Sequence, residues 1–168
     1  MSTTPSPSPA STAPGTGREP NAADRDWLAL ACELAALCPP SATAFSVGAV
    51  VVAADGTELA RGYSRENDPH DHAEEGALAK VPAGDPRLAT ATIYSSLEPC
   101  ARRASRPRPC ARLIESAGLR RVVTAWTEPD TFVPDADGTG LLEAAGIPVL
   151  TLPDYTAAAQ APNRHLLG

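Results

Sequence analysis

The sequence is poor in aromatic side chains, in positive charge and in long apolar runs. Aromatic residues make up 4% of its 168 positions, so a core must be built mainly from Ala, Val and Leu, although the hydrophobic fraction of 43% is that of a globular protein. No stretch approaches the roughly 18 consecutive apolar residues of a membrane span, so no membrane association is expected. The length suits one compact domain and argues against a multidomain assembly.

Positive charge is scarce because 14 Lys and Arg residues face 20 Asp and Glu residues, which gives a net charge of −6. Proteins that hold nucleic acid by neutralising its phosphates have the opposite balance, so the composition argues against a nucleic-acid partner and favours a small molecule. The N terminus has neither a cationic start nor an apolar run, which predicts a cytoplasmic protein. In that compartment the four cysteines indicate metal binding or catalysis rather than disulfides.

The composition changes near residue 20. Pro, Ser and Thr provide 13 of the first 20 residues, and these residue types bury little surface and resist regular structure. The sequence therefore predicts a disordered tail over residues 1–20 and a single domain over residues 21–168.

Within the domain, the hydrophobic pattern predicts helices and strands in alternation. A first helix with apolar residues over 27–38 precedes a β-hairpin, residues 46–53 and 58–63, whose turn is Asp55-Gly56. The further elements, helix and strand by turns, are residues 72–80, 90–95, 109–117, 121–126, 138–145 and 147–152. This order predicts an α/β fold with three layers, α/β/α, around a mixed five-stranded sheet.

Three potential metal ligands stand near predicted helix starts. His72 begins the second helix, Cys110 begins the third, and Cys100 follows the third strand. The positive end of a helix dipole lowers the pKa of a thiol and favours the thiolate that binds metal. One imidazole and two thiolates are typical of Zn²⁺, and three protein ligands leave the fourth tetrahedral position open for water. The set therefore predicts a catalytic zinc site.

Glu74 follows His72 by two residues, close enough to face that water without ligating the metal, which predicts a proton shuttle. The string His72-Ala73-Glu74, followed by Pro99-Cys100, matches the H-x-E…P-C signature of zinc-dependent deaminases. The chain resembles the cytidine and deoxycytidylate deaminase superfamily, and most of all the deaminase domain of the bifunctional deaminase/reductase of riboflavin biosynthesis. Besides the zinc motif, the resemblance is carried by residues 96–100, 109–118, 140–147 and 163–167.

The resemblance implies a cytidine-deaminase-like fold, a Zn²⁺ cofactor and a small pyrimidine substrate. The implied reaction is hydrolytic removal of an exocyclic amine from 2,5-diamino-6-ribosylamino-4(3H)-pyrimidinone 5′-phosphate, with Glu74 moving the protons. It also implies a homo-oligomer. Because no reductase segment follows Gly168, a separate reductase is expected as a partner in the pathway.

Two departures from the riboflavin-pathway pattern keep other functions open. Nine residues separate Cys100 from Cys110 where that pattern has eight, and its N-P-x-V-G becomes Ala44-Phe45-Ser46-Val47-Gly48, which resembles the F-x-V-G-A of cytidine deaminases. The alternative substrate is therefore cytidine or dCMP. A non-catalytic zinc-binding or scaffolding module is a third possibility, although it would have no use for Glu74.

Contacts to the substrate can also be predicted. The resemblance suggests Phe45, Asn67, Ala73 and Glu98 as neighbours of the base or sugar. Arginines crowd the loop between the two cysteines, and their planar guanidinium groups suit phosphate oxygens. Arg106 and Arg108 are therefore predicted to hold the substrate phosphate, the alternative being a solvated loop.

Four further residues are interpreted as structural. Cys32 and Cys38 share the first helix with its apolar residues and are predicted to be core thiols. His70 could be a spare ligand, but its Asp and Pro neighbours indicate a turn. Glu75 is expected to face solvent or to support the site from outside.

Overall fold

The computed structural model describes residues 12–103, 106–129 and 137–167. Its helices are α1 (Ala22–Ala35), α2 (Ala73–Ala79), α3 (Cys110–Ala117), α4 (Gly138–Ala144), α5 (Thr156–Gln160) and α6 (Arg164–Leu167). Its strands are β1 (Gly48–Val52), β2 (Glu58–Tyr63), β3 (Thr92–Ser95), β4 (Arg121–Thr124) and β5 (Val149–Thr151). Short 3-10 turns occur at Pro86–Thr90, Pro153–Tyr155 and Ala161–Asn163. None of the helices in these described ranges combines the length and the hydropathy of a membrane span.

The five strands form one mixed sheet in the order β2-β1-β3-β4-β5. β1 is antiparallel to both β2 and β3, whereas β3, β4 and β5 run parallel to one another. α1 packs on β1 and β3 and also contacts α5, while α2, α3 and α4 contact one another in turn, with α2 lying against β1 and β2. The predicted α/β class and mixed five-stranded sheet are confirmed.

The predicted elements differ from the observed ones mainly at their ends. The first helix ends at Ala35, because the backbone N–H groups of Leu37 and Cys38 bond to carbonyls three residues back rather than four. β4 ends at Thr124, although Ala125 and Trp126 continue the buried run without a strand partner. The short helices α5 and α6 were not predicted, because neither is long enough to show a helical period.

β1 is buried along its whole length, and α1 lies close against it. Trp27 and Leu28 on the inner face of α1 are fully buried. A Cβ atom on Gly48, at the start of β1, would collide with the backbone carbonyl of Ala31. Only glycine permits this approach of the helix to the strand. The short distance suits a core built mainly from small side chains rather than aromatic ones.

Asp24 of α1 joins the helix to β3 and β4. Its Oδ1 atom accepts hydrogen bonds from the Tyr94 hydroxyl (2.6 Å) and Arg121 Nη1 (2.7 Å), and its Oδ2 atom accepts one from Arg121 Nη2 (2.9 Å). Asp24 also forms a capping box with Asn21 at the start of the helix. Although burial raises the pKa of Asp24, the hydrogen bonds from Arg121 and Tyr94 hold it below its usual value.

Replacing Asp24 with Ala is expected to lower the free energy of unfolding by about 3–5 kcal/mol, because the buried guanidinium of Arg121 loses its counter-charge. Asp26→Ala on the exposed side of the same helix is the matched control and should change stability by less than about 0.5 kcal/mol. Urea denaturation of the three proteins measures both values. Equal stability of the two variants would contradict the role given to Asp24.

The segment ahead of α1 contacts the domain from residue 12 onward. Trp27 Nε1 donates a hydrogen bond to the Thr12 carbonyl at 2.8 Å, and Arg121 Nε donates one to the Gly17 carbonyl at 2.7 Å. The ordered contacts therefore begin before the boundary predicted at residue 21, because backbone carbonyls of this segment satisfy buried donors whatever its composition. The rest of the predicted tail, residues 1–11, lies outside the described residues.

Candidate active site

The three predicted metal ligands converge on one point. His72 Nδ1 lies 3.5 Å from Cys100 Sγ and 3.4 Å from Cys110 Sγ, and the three donor atoms lie within 4.8 Å of one another. Both cysteines are buried and His72 is half-buried. The cluster therefore offers three donor atoms to one metal ion.

Local structure explains why these residues meet. His72 is the N-cap of α2, and Cys110 is the first residue of α3, directly after Pro109. Cys100 is tied to the start of α3, since its Sγ accepts a hydrogen bond from the Cys110 N–H (3.2 Å) and its carbonyl accepts one from the Ala111 N–H (3.0 Å). Cys100 itself lies outside any helix, and the backbone N–H groups that α3 leaves unpaired at its first turn hold it in place.

The two thiols lie close enough to influence each other's ionisation. A hydrogen bond from the Cys110 thiol, together with one from His72, lowers the pKa of Cys100 to about 4 despite its burial. The bond to Cys100 and burial raise the pKa of Cys110. The contact therefore favours the thiolate form of Cys100, and a bound cation would favour the second thiolate as well.

Glu74 is buried beside the cluster. The residue is 4% exposed, and its Oε1 atom accepts a hydrogen bond of 2.8 Å from the Ser95 hydroxyl at the end of β3. Burial, followed by the negative charge of Cys100, raises the pKa of Glu74. The arrangement is compatible with the predicted proton shuttle, because a carboxyl group with a raised pKa takes up a proton more readily near neutral pH.

These groups border a cavity of about 700 Å³. Two predicted substrate contacts, Phe45 and Ala73, line it, and Phe45 packs edge to face against Trp126 with ring centroids 5.4 Å apart. The predicted contact Asn67 does not line it. Asn67 is exposed, and its backbone N–H donates to the Asp71 carboxylate at 3.2 Å, which leaves this residue in the turn before α2.

Glu98 lines the cavity, but its carboxylate already has partners. Oε1 accepts a hydrogen bond from the backbone N–H of Glu128 (3.0 Å), and Oε2 accepts one from the backbone N–H of Thr139 (2.8 Å) as well as from its hydroxyl. The arrangement favours a supporting role, in which Glu98 holds the segments after β4 and at the start of α4 against the site.

The two arginines predicted to bind phosphate do not line the cavity. Arg106 pairs with Asp71 (3.2 Å) and Asp68 (3.3 Å), and Arg108 donates to the Ser116 hydroxyl on α3. The guanidinium of Arg106, which was predicted to bind the substrate phosphate, is therefore paired with carboxylates of the turn before α2.

Other arginines do line it. Arg65 and Arg102 border the cavity, as does Arg103, whose side chain is 2% exposed. Arg103 Nη2 donates to the His70 carbonyl at 2.8 Å, but its Nε and Nη1 atoms are buried and have no hydrogen-bond partner in the described part of the chain. Glu75 lies 3.3 Å from Arg103, so it supports this loop from outside the metal cluster, as predicted.

Sequence reasoning missed three groups at the site. The Ser95 hydroxyl, which holds Glu74, was not predicted to belong to the site. Glu128, just after β4, also lines the cavity. Burial is the main cause that raises the pKa of its carboxyl group to about 8, and the negative charges of Cys100 and Glu74 add to it. Arg65 lines the cavity from the loop after β2. The sequence did contain a signal for Glu128. This residue follows β4, which is parallel to β3, and the carboxyl ends of parallel strands lie at the same edge of a sheet.

The residues interpreted as structural lie outside the metal cluster. The side chain of His70 is 66% exposed in a turn, with its Nδ1 atom 3.5 Å from Asp68. Cys32 is buried on α1, and the half-buried Cys38 directs its Sγ to the Val47 carbonyl at 3.4 Å.

Known proteins resemble this chain in both sequence and structure. It is 39% identical over 127 residues to the diaminohydroxyphosphoribosylamino-pyrimidine deaminase of Schizosaccharomyces pombe, a match that covers 74% of this chain and 31% of the relative. It is 36% identical over 130 residues to the riboflavin biosynthesis protein RibD of Aquifex aeolicus, covering 75% of this chain and 34% of that one. The chain thus spans about a third of the length of these curated relatives.

A solved structure gives the same picture. The RibD protein of Acinetobacter baumannii superposes with a TM-score of 0.71 at 31% identity, over 86% of this chain and 39% of that one. The family model for the cytidine and deoxycytidylate deaminase zinc-binding region matches residues 21–126 of the sequence, which include His72, Glu74, Cys100 and Cys110. The match covers more than half of the sequence, and the chain therefore belongs to the cytidine and deoxycytidylate deaminase family.

Proposed function

We propose that this chain is a zinc-dependent hydrolase that removes an exocyclic amine from 2,5-diamino-6-ribosylamino-4(3H)-pyrimidinone 5′-phosphate. The observation that carries the proposal is the convergence of His72, Cys100 and Cys110 next to a buried carboxylate. The choice of substrate is supported by the relatives, which are named for this deamination and for riboflavin biosynthesis.

The three donors fit Zn²⁺. Usual Zn–S and Zn–N bond lengths in a tetrahedral site imply about 3.6 Å between a sulfur and a nitrogen ligand. The observed separations of 3.5 Å and 3.4 Å between His72 Nδ1 and the two sulfur atoms are close to that value. When bound in a site with three protein ligands, the ion supplies a water whose pKa is lowered from about 15.7 towards 7.

The protons are moved by Glu74. It takes a proton from the attacking water and delivers it to the ring nitrogen beside the reacting carbon. It then takes the remaining proton from the hydroxyl added to that carbon and delivers it to the amine, which leaves as ammonia while the hydroxyl oxygen becomes a carbonyl. The Ser95 hydroxyl holds one carboxylate oxygen and so orients the group towards the cavity. This use of a buried carboxylate also argues against a purely structural zinc module, which needs no proton shuttle and usually has four protein ligands.

The substrate phosphate suits the cationic part of the cavity. Arg103 has buried, unpartnered donors in the described part of the chain, and Arg65 and Arg102 border the same space. Fork-shaped guanidinium groups form strong hydrogen bonds to phosphate oxygens. The Arg65 guanidinium already donates to the carbonyls of Pro39 and Phe45 and to the Ser46 hydroxyl. The phosphate role predicted for Arg106 and Arg108 is therefore better assigned to Arg102 and Arg103.

The alternative function is deamination of cytidine or dCMP. It is favoured by the segment Phe45-Ser46-Val47-Gly48, because Phe45 lines the cavity and with Trp126 forms an aromatic contact against which a base could stack. The two functions differ in substrate but not in reaction type, so turnover measurements must separate them.

The test is ammonia release by the purified zinc-loaded protein from four compounds: the diaminopyrimidine phosphate, its dephosphorylated form, cytidine and dCMP. We expect the highest kcat/KM for the phosphorylated diaminopyrimidine, and about a 10- to 100-fold lower value without the phosphate, since charged hydrogen bonds are lost. Protein treated with a zinc chelator is the blank. Turnover of cytidine or dCMP alone would replace this function by the alternative.

The remaining expectations concern the setting of the enzyme. A cytoplasmic location, a homo-oligomeric state and a separate reductase acting on the product stay predictions. Size-exclusion chromatography with light scattering measures the oligomeric state directly.

A further inference from the structure

One acidic group that borders the cavity has no part in the chemistry described so far. The Oε2 atom of Glu128 is buried and has no hydrogen-bond partner in the described part of the chain. A buried carboxylate oxygen without a donor is unfavourable, because the hydration that it loses on folding is not replaced. Such a group in a cavity is suited to a ligand that brings its own donor.

The backbone at Glu128 is held in place independently of its side chain. Its N–H donates to Glu98 Oε1 at 3.0 Å, and the other oxygen of Glu98 accepts from the Thr139 N–H at 2.8 Å. The residue therefore occupies a supported position in the segment after β4, and its side chain lines the same cavity as Glu74 and Cys100.

Hydrogen-bond donors and an acceptor border this cavity without pairing with each other. Arg103 leaves Nε and Nη1 unpartnered, and Glu128 leaves Oε2 unpartnered, within the described residues. Both side chains line the same space. A ligand with N–H donors at one end and an anionic group at the other would satisfy both of them.

Building on the proposed function, we propose that Glu128 is a specificity-determining residue, which accepts a hydrogen bond from an N–H of the pyrimidine other than the amine that is removed. The diaminopyrimidinone retains a second amine and a ring N–H after one amine is committed to the reaction. Cytosine in a nucleoside has a single amine, and its remaining polar edge atoms, N3 and O2, are acceptors. Once its amine is committed to the reaction, cytosine offers no N–H to the unpartnered oxygen of Glu128, whereas the diaminopyrimidinone does, so this hydrogen bond favours the diaminopyrimidine.

The experiment compares Glu128→Ala and Glu128→Gln with Glu115→Gln, a matched change on the exposed face of α3. For the diaminopyrimidine phosphate, Glu128→Ala is expected to lower kcat/KM by about 10- to 100-fold, mainly through KM, because the contact exists in both the ground state and the transition state. For dCMP, kcat/KM should stay the same or rise. Glu115→Gln should match the wild type with both compounds.

A binding measurement complements the kinetics. In a Glu74→Gln background, which is expected to bind substrate without turnover, calorimetric titration with the diaminopyrimidine phosphate should give about a 10- to 100-fold weaker Kd when Glu128→Ala is added. Zinc content and the thermal unfolding midpoint should remain those of the background protein. If Glu128→Ala lowers that midpoint, the isosteric Glu128→Gln takes its place in both measurements, with a smaller loss because an amide oxygen still accepts a hydrogen bond.

The outcomes separate this inference from the function on which it rests. A wild-type protein that releases no ammonia from the diaminopyrimidine phosphate overturns both. Normal wild-type turnover, combined with an unchanged kcat/KM and Kd in the Glu128 variants, overturns the specificity role alone. An equal loss with the diaminopyrimidine and with dCMP also overturns it, because that result indicates general damage to the site.

Discussion

Replacing Glu74 with Gln is expected to lower kcat by about 10²- to 10⁴-fold while zinc stays bound. The amide keeps the shape of the side chain, and its oxygen can still accept the hydrogen bond from Ser95, so the site should keep its structure. An amide cannot take up and release a proton at neutral pH, and the transfers to the ring nitrogen and to the leaving amine are lost. Steady-state ammonia release and the zinc-to-protein ratio measure the two effects.

The control for this variant is Glu115→Gln, the same chemical change on an exposed surface. Glu115 pairs with Arg112 at 2.8 Å on α3, and an exposed pair of this kind contributes little to stability. Its activity should equal that of the wild type. A Glu74→Gln protein that binds zinc and retains more than a few per cent of the wild-type activity would show that another group moves the protons.

The cluster of candidate metal ligands and the buried carboxylate beside it could be predicted because their signal is local. His72 and Glu74 are neighbours at the start of one helix, and Cys100 and Cys110 belong to one loop and the helix that follows it. The chemistry of each residue type then limits what such a group can do. The order of helices and strands was predictable for the same reason, since hydrophobic periodicity is read within each element.

The walls of the cavity could not be predicted in this way. Arg103 and Arg106 stand in the same basic loop, yet only Arg103 lines the cavity, because the carboxylates of Asp68 and Asp71 bind Arg106. Which arginine is free to meet a ligand depends on contacts between segments more than 30 residues apart along the chain. A list of residue types in one loop carries no information about such contacts.

Glu98 and Glu128 illustrate the same limit for acidic groups. Both line the cavity, but the Glu98 carboxylate accepts backbone N–H groups from two other segments, whereas one oxygen of Glu128 has no partner in the described residues. Glu98 lies in the family motif and was one of the residues predicted to contact substrate. The hydrogen bonds of the folded chain favour a supporting role for Glu98 and leave one oxygen of Glu128 available to a ligand.

Replacing Cys110 with Ala is expected to reduce bound zinc to less than about one ion per ten chains and to abolish turnover, because two of three protein donors cannot hold the ion tightly. The buried Cys110 Sγ lies 3.4 Å from His72 Nδ1. The described residues place no other His, Cys, Asp or Glu in this cluster to replace it. Elemental analysis after dialysis measures the zinc content, and ammonia release measures turnover.

Cys38→Ala is the matched control, since it removes a thiol from a half-buried position outside the cluster. It should keep one zinc ion and full activity. Thermal unfolding adds an independent readout. A bound ion stabilises the folded chain, so chelation should lower the unfolding midpoint of the wild type and of Cys38→Ala but leave that of Cys110→Ala unchanged. Full zinc occupancy in Cys110→Ala would mean that this thiol does not ligate the metal. That result would contradict the three-ligand zinc site on which the proposed reaction depends.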